Sequence, residues 1–449
     1  VGEPSTASDQ PRVSGVRAAV RNLGWLLAGR GVVAVLSLLY LGIATRTLGV
    51  TDFGRFALVT GAAQSLGVLV GFQTWQVVVR YGIDHRSRGD EAALGRLYRA
   101  CMLLDAVSAI VGVVAAVLII VVWRDELGIT PALLRDTIVL MVAELVSLRS
   151  AALGVLRLND RFGHATAADS VTPLGRMLGA LAAALFAPDL HGFLWAWAVA
   201  EVATAAAYWL LLGRSGDLSL AFGAPFSLAL VRRENPQFGR FLVSTNIAST
   251  LGLATKQLPL LFVGGFVGPA AAGGFRLAAQ LAQALAKLSQ LISRAAFPEV
   301  VRAVRGVTGS ALRGVLNRLF WASAAAGFVI LLLVALVGRP GLVLVGGNHV
   351  YGEAYPLLLW LAAAGAIDLA VVAFEPVLLA VNRSGSAVAS RGAGVALQLL
   401  LMVWLLPRIG AEGASIGVFA ASLLGALLLG LNVLRFARAA DGSEVRPAS

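Results

Sequence analysis

The sequence predicts an all-α polytopic membrane protein of about twelve spanning helices arranged as two lobes. Three observations predict it: an apolar composition, a regular succession of apolar runs, and an internal repeat. Of the 449 residues, 58% are hydrophobic and 13% charged, and the mean hydropathy is +0.82. A water-soluble domain carries about 25% charged residues, so lipid is the solvent this chain is built for. Backbone polar groups in hydrocarbon must be satisfied within their own segment, which makes each span a helix of about 20 apolar residues.

The first twenty residues, VGEPSTASDQPRVSGVRAAV, are polar and basic. They lack a short apolar core ahead of a small-residue cleavage site, so 1–22 reads as a cytoplasmic tail rather than a cleaved signal. Six apolar runs follow, at 24–45, 56–79, 100–123, 133–156, 171–187 and 193–212, and form an N-lobe over 23–213. A polar linker, 214–239, carries Pro225, Pro236 and the cluster Arg232, Arg233, Glu234. Six more runs, at 241–266, 271–297, 319–337, 355–381, 389–406 and 413–436, form a C-lobe over 240–437, and 438–449 is a second tail. With the N-terminus inside, roughly 23 basic residues fall on the cytoplasmic side against roughly 6 outside. Both termini and the linker are therefore expected in the cytoplasm.

The lobes echo one another. LGVTDFGRF at 48–56 recurs as VGPAAAGGF at 267–275, with glycine at the second and seventh places and phenylalanine at the last; the same offset sets Gln64 against Gln283. Each copy joins an odd span to an even one on the outer side, so the lobes share one orientation and are expected to enclose a path along the membrane normal.

Several function classes are excluded or disfavoured. The net charge of +12 is scattered in short clusters between spans, which argues against nucleic acid as a partner. A single cysteine, Cys101, cannot form an intrachain disulfide, and no His/Cys cluster has metal-ligand spacing. There is no P-loop and no other cofactor motif. An enzyme such as a glycan polymerase or ligase needs acid/base groups on a large outer loop. The longest outer loop here offers little beyond Arg339, Asn348, His349 and Glu353.

The eighth span is the most informative. Arg276, Gln280, Gln283, Lys287, Gln290 and Arg294 recur at spacings of four and three, which puts them on one helical face. A central arginine or lysine costs about 2.5–3.5 kcal/mol in a span, so such a stripe faces water, a ligand or partner carboxylates. A wet wall suits the glutamines better than closed ion pairing, which is the competing reading. Asn246, Ser249 and Lys256 on the seventh span, and Asn22, Arg30 and Ser37 on the first, plausibly line the same path; for Arg30, snorkelling to the headgroups is an equal reading. Acids also occur within spans: Asp105, Glu144, Asp169, Glu201, Asp368 and Glu375. The plain reading is that these acids neutralise Arg149, Arg176 and similar bases, and it is preferred for Asp169, which shares a face with Arg176 seven residues on. Asp368 and Glu375, also seven apart, have no base in their own span and are the candidates for proton or cation coupling.

At this point three segments carry a resemblance: ATRTLGVTDFGRFAL at 44–58, LLFVGGFVGPAAAGGFRLAAQLAQALAKLSQLISRAAFPEVVR at 260–302, and YGEAYPLLLWLAAAGAIDLAVVAFEPVLLAVNRSG at 351–385. With the R-x-LG-x-x-x-FG-x-F string and the Phe-Pro-Glu at 297–299, the chain resembles the polysaccharide transporter family, which includes O-antigen flippases of the Wzx type. The resemblance implies two six-helix bundles forming a V around a central cavity, as in multidrug and toxin extrusion transporters and lipid II flippases, though without the latter's two extra helices. It implies a flippase, not an enzyme, in the bacterial cytoplasmic membrane. The implied cargo is an undecaprenyl-diphosphate-linked oligosaccharide destined for O-antigen, capsule or exopolysaccharide. Membrane lipids, and the polymerase and ligase of that pathway, are the implied partners. Arg30, Lys256, Arg276 and Lys287 would engage the diphosphate. The closest rival is a drug/cation antiporter of the same fold, whose cavity should be dominated by carboxylates rather than bases.

Overall fold

The computed structural model describes residues 12–123, 130–223, 225–285, 310–380 and 384–443. Lys287, Gln290 and Arg294 lie outside the described residues, and so do the side chains before Val35, Arg30 among them. All regular structure among the described residues is helical. In the N-lobe it comprises α1 (Arg12–Val70), α2 (Thr74–Ser87), α3 (Glu91–Trp123), α4 (Pro131–Val146), α5 (Ser150–Leu158), α6 (Phe162–Phe186) and α7 (Leu190–Arg214). Two short helices follow in the linker, α8 (Asp217–Gly223) and α9 (Leu228–Glu234). Then come α10 (Phe238–Lys256), α11 (Leu258–Phe266), α12 (described over 269–285), α13 (Ser310–Gly346), α14 (Tyr355–Ala370), α15 (Phe374–Ala380), α16 (Ser384–Ile409) and α17 (Ala411–Ser443).

Eight helical stretches are long and apolar enough to cross a membrane, and α10 with α11 makes a ninth, bent by 44°. The remaining expected spans are accounted for physically. The stretch Val35–Ser87 merges two of them, because α1 is interrupted at Gly49 with φ 73° and ψ −176°, a conformation open essentially to glycine alone. Helix α6 contains Asp169 and Arg176, and α12 is described only over 269–285. The protein is a polytopic all-α membrane protein.

Several spans are broken within the membrane, and side chains from neighbouring helices satisfy the freed backbone groups, as lipid cannot. At the α1–α2 break, Asn246 donates to the Gly71 carbonyl (2.9 Å), and Ser150 Oγ accepts from Trp75 N (3.2 Å). At the α4–α5 break, Trp209 donates to the Leu148 carbonyl (2.7 Å), while Asp105 accepts from Ala151 N (2.9 Å) and the Thr74 hydroxyl (2.8 Å). At the α10–α11 break, Gln398 donates to the Ala254 carbonyl (3.0 Å).

Helices α1–α7 pack on one another, and so do α13, α14, α16 and α17. Small residues let α6 and α7 approach: a β-carbon on Gly179 would lie 2.9 Å from the Ala196 β-carbon, the close-packing device of helices in lipid. The two groups meet at the end of the molecule that carries Gly49. There Gly268, at the equivalent place of the repeat, also has positive φ (115°). A β-carbon on Gly54 would collide with the Pro269 carbonyl oxygen, and one on Gly273 would lie 3.1 Å from the Val50 carbonyl oxygen. Since Val50 and Pro269 are equivalent, as are Gly54 and Gly273, these are one contact made twice across a pseudo-two-fold. Beside it, Arg46 donates to the Leu344 carbonyl (2.6 Å) and Thr45 to that of Val345 (3.2 Å).

Candidate substrate path between the lobes

Helix α12 brings Arg276 to a small void lined also by Tyr40, Leu41, Phe53, Phe56, Ala57, Thr60 and Trp197. The void's walls are set by edge-to-face rings, Tyr40 on Trp197 (5.2 Å) and Phe56 on Trp197 (4.8 Å). From the N-lobe side, the Arg176 guanidinium lies over the Trp197 ring, 5.5 Å from its centroid. Tyr40 interacts electrostatically with both Arg176 and Arg276. Guanidinium groups from α6 and α12 thus converge on one aromatic floor and repel one another.

Their surroundings differ. Glu201, 1% exposed, accepts from Arg176 (2.6 Å) and from Arg149 (2.9 Å). Glu144 lies within electrostatic reach of the same two arginines. Arg176 nonetheless keeps a buried Nε with no hydrogen-bond partner. Arg276 has no ion pair among the described residues. A cation held away from bulk water without an ion pair is costly unless an anion or water is supplied; Arg176 has Glu201 for this and Arg276 has no such carboxylate among the described residues.

The other sequence candidates fall around this centre. Gln257, at the α10–α11 break, donates to Gln64 Oε1 (2.9 Å), joining the two halves of the chain. Gln280 is half-buried and Gln283 exposed on the α12 face that carries Arg276, and Lys256 is exposed. Asn246 spends its amide on the α1–α2 break rather than standing free in a cavity.

Two sequence expectations are corrected. Asp169 does not neutralise Arg176: seven residues along a helix separate them by about 10 Å, and each reaches across to α7, Asp169 accepting from the Tyr208 hydroxyl (2.5 Å) while Arg176 binds Glu201. Asp368 and Glu375 do not share one face of one helix, because the helix breaks between α14 and α15. Glu375 forms an ion pair with Arg391 of α16. Asp368 is exposed, with Ser422 beside it and Lys256 and Arg391 in electrostatic reach. Tyr40 and Trp197 carry no sequence signal, being ordinary members of apolar runs; Arg149, expected as a partner of the acids within spans, is paired with Glu201. Among the described residues no group of three or more His, Cys, Asp or Glu could hold a metal ion.

Residues 19–304 match the family described as "Polysaccharide biosynthesis protein". The chain is 30% identical over 349 residues to the inner membrane protein YghQ of Escherichia coli (strain K12), covering 76% of this chain and 96% of that protein. In fold it is similar to the lipid II flippase MurJ in an inward closed conformation, with a TM-score of 0.69 and 10% identity over 91% of this chain and 87% of that one. It is likewise similar to a multidrug resistance MATE family transporter of the MOP superfamily in an inward-facing conformation, with a TM-score of 0.66 and 12% identity over 92% and 99% of the two chains. The chain belongs to the polysaccharide biosynthesis protein family and shares its fold with those two solved structures.

Proposed function

We propose that this protein is a flippase that carries an undecaprenyl-diphosphate-linked oligosaccharide from the cytoplasmic to the outer leaflet of the bacterial inner membrane. The cargo would feed O-antigen, capsule or exopolysaccharide assembly, where a polymerase and a ligase consume it. The observation that carries this reading is the meeting of Arg176 and Arg276 on the Tyr40–Trp197 floor, with no carboxylate paired to Arg276 among the described residues. A diphosphate cannot cross hydrocarbon unassisted, whereas its polyprenyl tail can stay in lipid, so the protein's task is a cationic route for the headgroup. Lys256, and Arg30 and Lys287 by sequence position, extend that route in depth, with Gln64, Gln280 and Gln283 as its polar lining.

The lobes, 23–213 and 240–437, would rock about the fixed site in alternating access. With termini and linker cytoplasmic, the contact at the Gly49 end closes the outer side. A drug/cation antiporter is the second reading, and Asp368 is the residue that favours it. The two separate in cells lacking their own flippase. Arg276→Gln should abolish glycan export at normal protein levels, whereas an antiporter would lose drug resistance on Asp368→Asn and never support export.

A further inference from the structure

The linker is not a loose tether, and its chemistry faces two ways. Its inner face is pinned to the N-lobe: Glu234 accepts from Arg96 through both oxygens (2.5 and 3.1 Å), Asp217 from Arg161 and Asn159 (2.8 Å each). The Pro236 carbonyl accepts from Tyr81 (2.9 Å), and Asn235 bonds His85 (2.9 Å). Leu220 lies so close on α3 that a β-carbon at Gly95 would collide with its carbonyl. The linker therefore caps the end of the bundle, at the edge of the apolar spans.

Its outer face carries Phe222 and Phe226, 59% and 36% exposed, with Leu228 and Leu230 also exposed. Arg214, Arg232, Arg233 and Arg240 are exposed beside them. Both acids of the linker, Asp217 and Glu234, are consumed by N-lobe arginines, so the surface left over is basic and apolar without relief. Arg99 of α3 reaches into it, its guanidinium 5.5 and 5.3 Å from the Phe222 and Phe226 ring centroids. Arg99 Nε is buried without a hydrogen-bond partner, and no carboxylate pairs with Arg99 among the described residues. Arg96, three residues earlier, is neutralised by Glu234; Arg99 has no such partner among the described residues.

We propose that this face is a docking site for anionic phospholipid, with the lipid phosphate on Arg99 between the two phenylalanines, acyl chains over Phe222, Phe226, Leu228 and Leu230, and Arg232 and Arg233 against neighbouring headgroups. Apolar side chains with flanking arginines and no free acid are what binds an anionic bilayer surface in its plane. Docking holds the linker at the headgroup layer. This site is separate from the path between the lobes and does not depend on what the protein transports.

The test is native mass spectrometry of the full-length protein titrated with phosphatidylglycerol, with phosphatidylethanolamine as control. Each arginine near the surface adds about five-fold in affinity, so Arg99→Gln should weaken phosphatidylglycerol binding about five-fold. Arg232→Gln with Arg233→Gln, on an exposed face where folding is not at stake, should weaken it more than about ten-fold. Phosphatidylethanolamine binding should not change. Equal phosphatidylglycerol affinity in the double variant and the wild type would overturn the proposal. So would displacement of the bound phosphatidylglycerol by undecaprenyl diphosphate, which would make this face an entry point for cargo.

Discussion

Arg176 and Arg276 face the same aromatic floor but are built into the molecule in different ways. Glu201 neutralises Arg176 and Arg149 together, so Glu201→Gln removes the carboxylate that both arginines bind and breaks the more enclosed pair, Arg176–Glu201. Breaking a buried pair costs about 3–5 kcal/mol, and thermal unfolding of the detergent-purified variant should reveal it. Arg276→Gln removes a charge that has no paired carboxylate, so the unfolding temperature should not fall. Loss of a charge-assisted phosphate contact of about 1.5–3 kcal/mol should still cut export at least about ten-fold. A residue whose loss spares stability and destroys transport serves the cargo rather than the fold. Arg276 was legible in the sequence because its spacing from Gln280 and Gln283 is helical. That acids within the spans neutralise Arg149 and Arg176 was legible too, but not that Glu201 takes both, since its partners come from the α5 N-cap and α6, and no local periodicity links helices that meet only after folding.

At the level of elements, the extent of the spans was readable from hydropathy and their interruptions were not. The α4–α5 break at 147–149 has no glycine or proline, and is held by Asp105 and Trp209 from other helices. The α10–α11 break is announced only by Pro259, which fits the first turn of α11. Asn246, Asp105 and Gln398 thus act as clasps for backbone that lipid cannot solvate. Asn246→Ala should leave the Gly71 carbonyl unpaired and cost about 1–3 kcal/mol. Asp105→Ala should cost more than Asp105→Asn, which keeps an acceptor for Ala151 N. Thermal unfolding of the three variants gives that order; equal stability of Asp105→Ala and wild type would remove Asp105 from the break.

The whole molecule is organised by the repeat, and here the sequence was read furthest. The two glycines at its second place both adopt positive φ, and those at its seventh place make the reciprocal contact between the lobes. The internal echo therefore marks where the two halves of the chain touch at the Gly49 end. Gly54→Val should hold the lobes apart at that end, because its side chain meets the Pro269 backbone, which cannot yield as a flexible side chain would. With Cys101→Ser as background, Thr45→Cys and Val345→Cys should be bridged efficiently by a short bifunctional thiol reagent, and Gly54→Val should reduce that bridging several-fold. Gly273→Ala, at 3.1 Å from its neighbour, should have a milder effect.

The most direct test of the account is transbilayer movement of a fluorescent undecaprenyl-diphosphate oligosaccharide in proteoliposomes under an imposed proton gradient. The wild-type protein should move the lipid to the far leaflet, while Arg276→Gln, equally folded and reconstituted, should leave it at the rate of protein-free vesicles. Movement at the wild-type rate in the variant, or no movement with the wild type, would contradict the cationic path between the lobes.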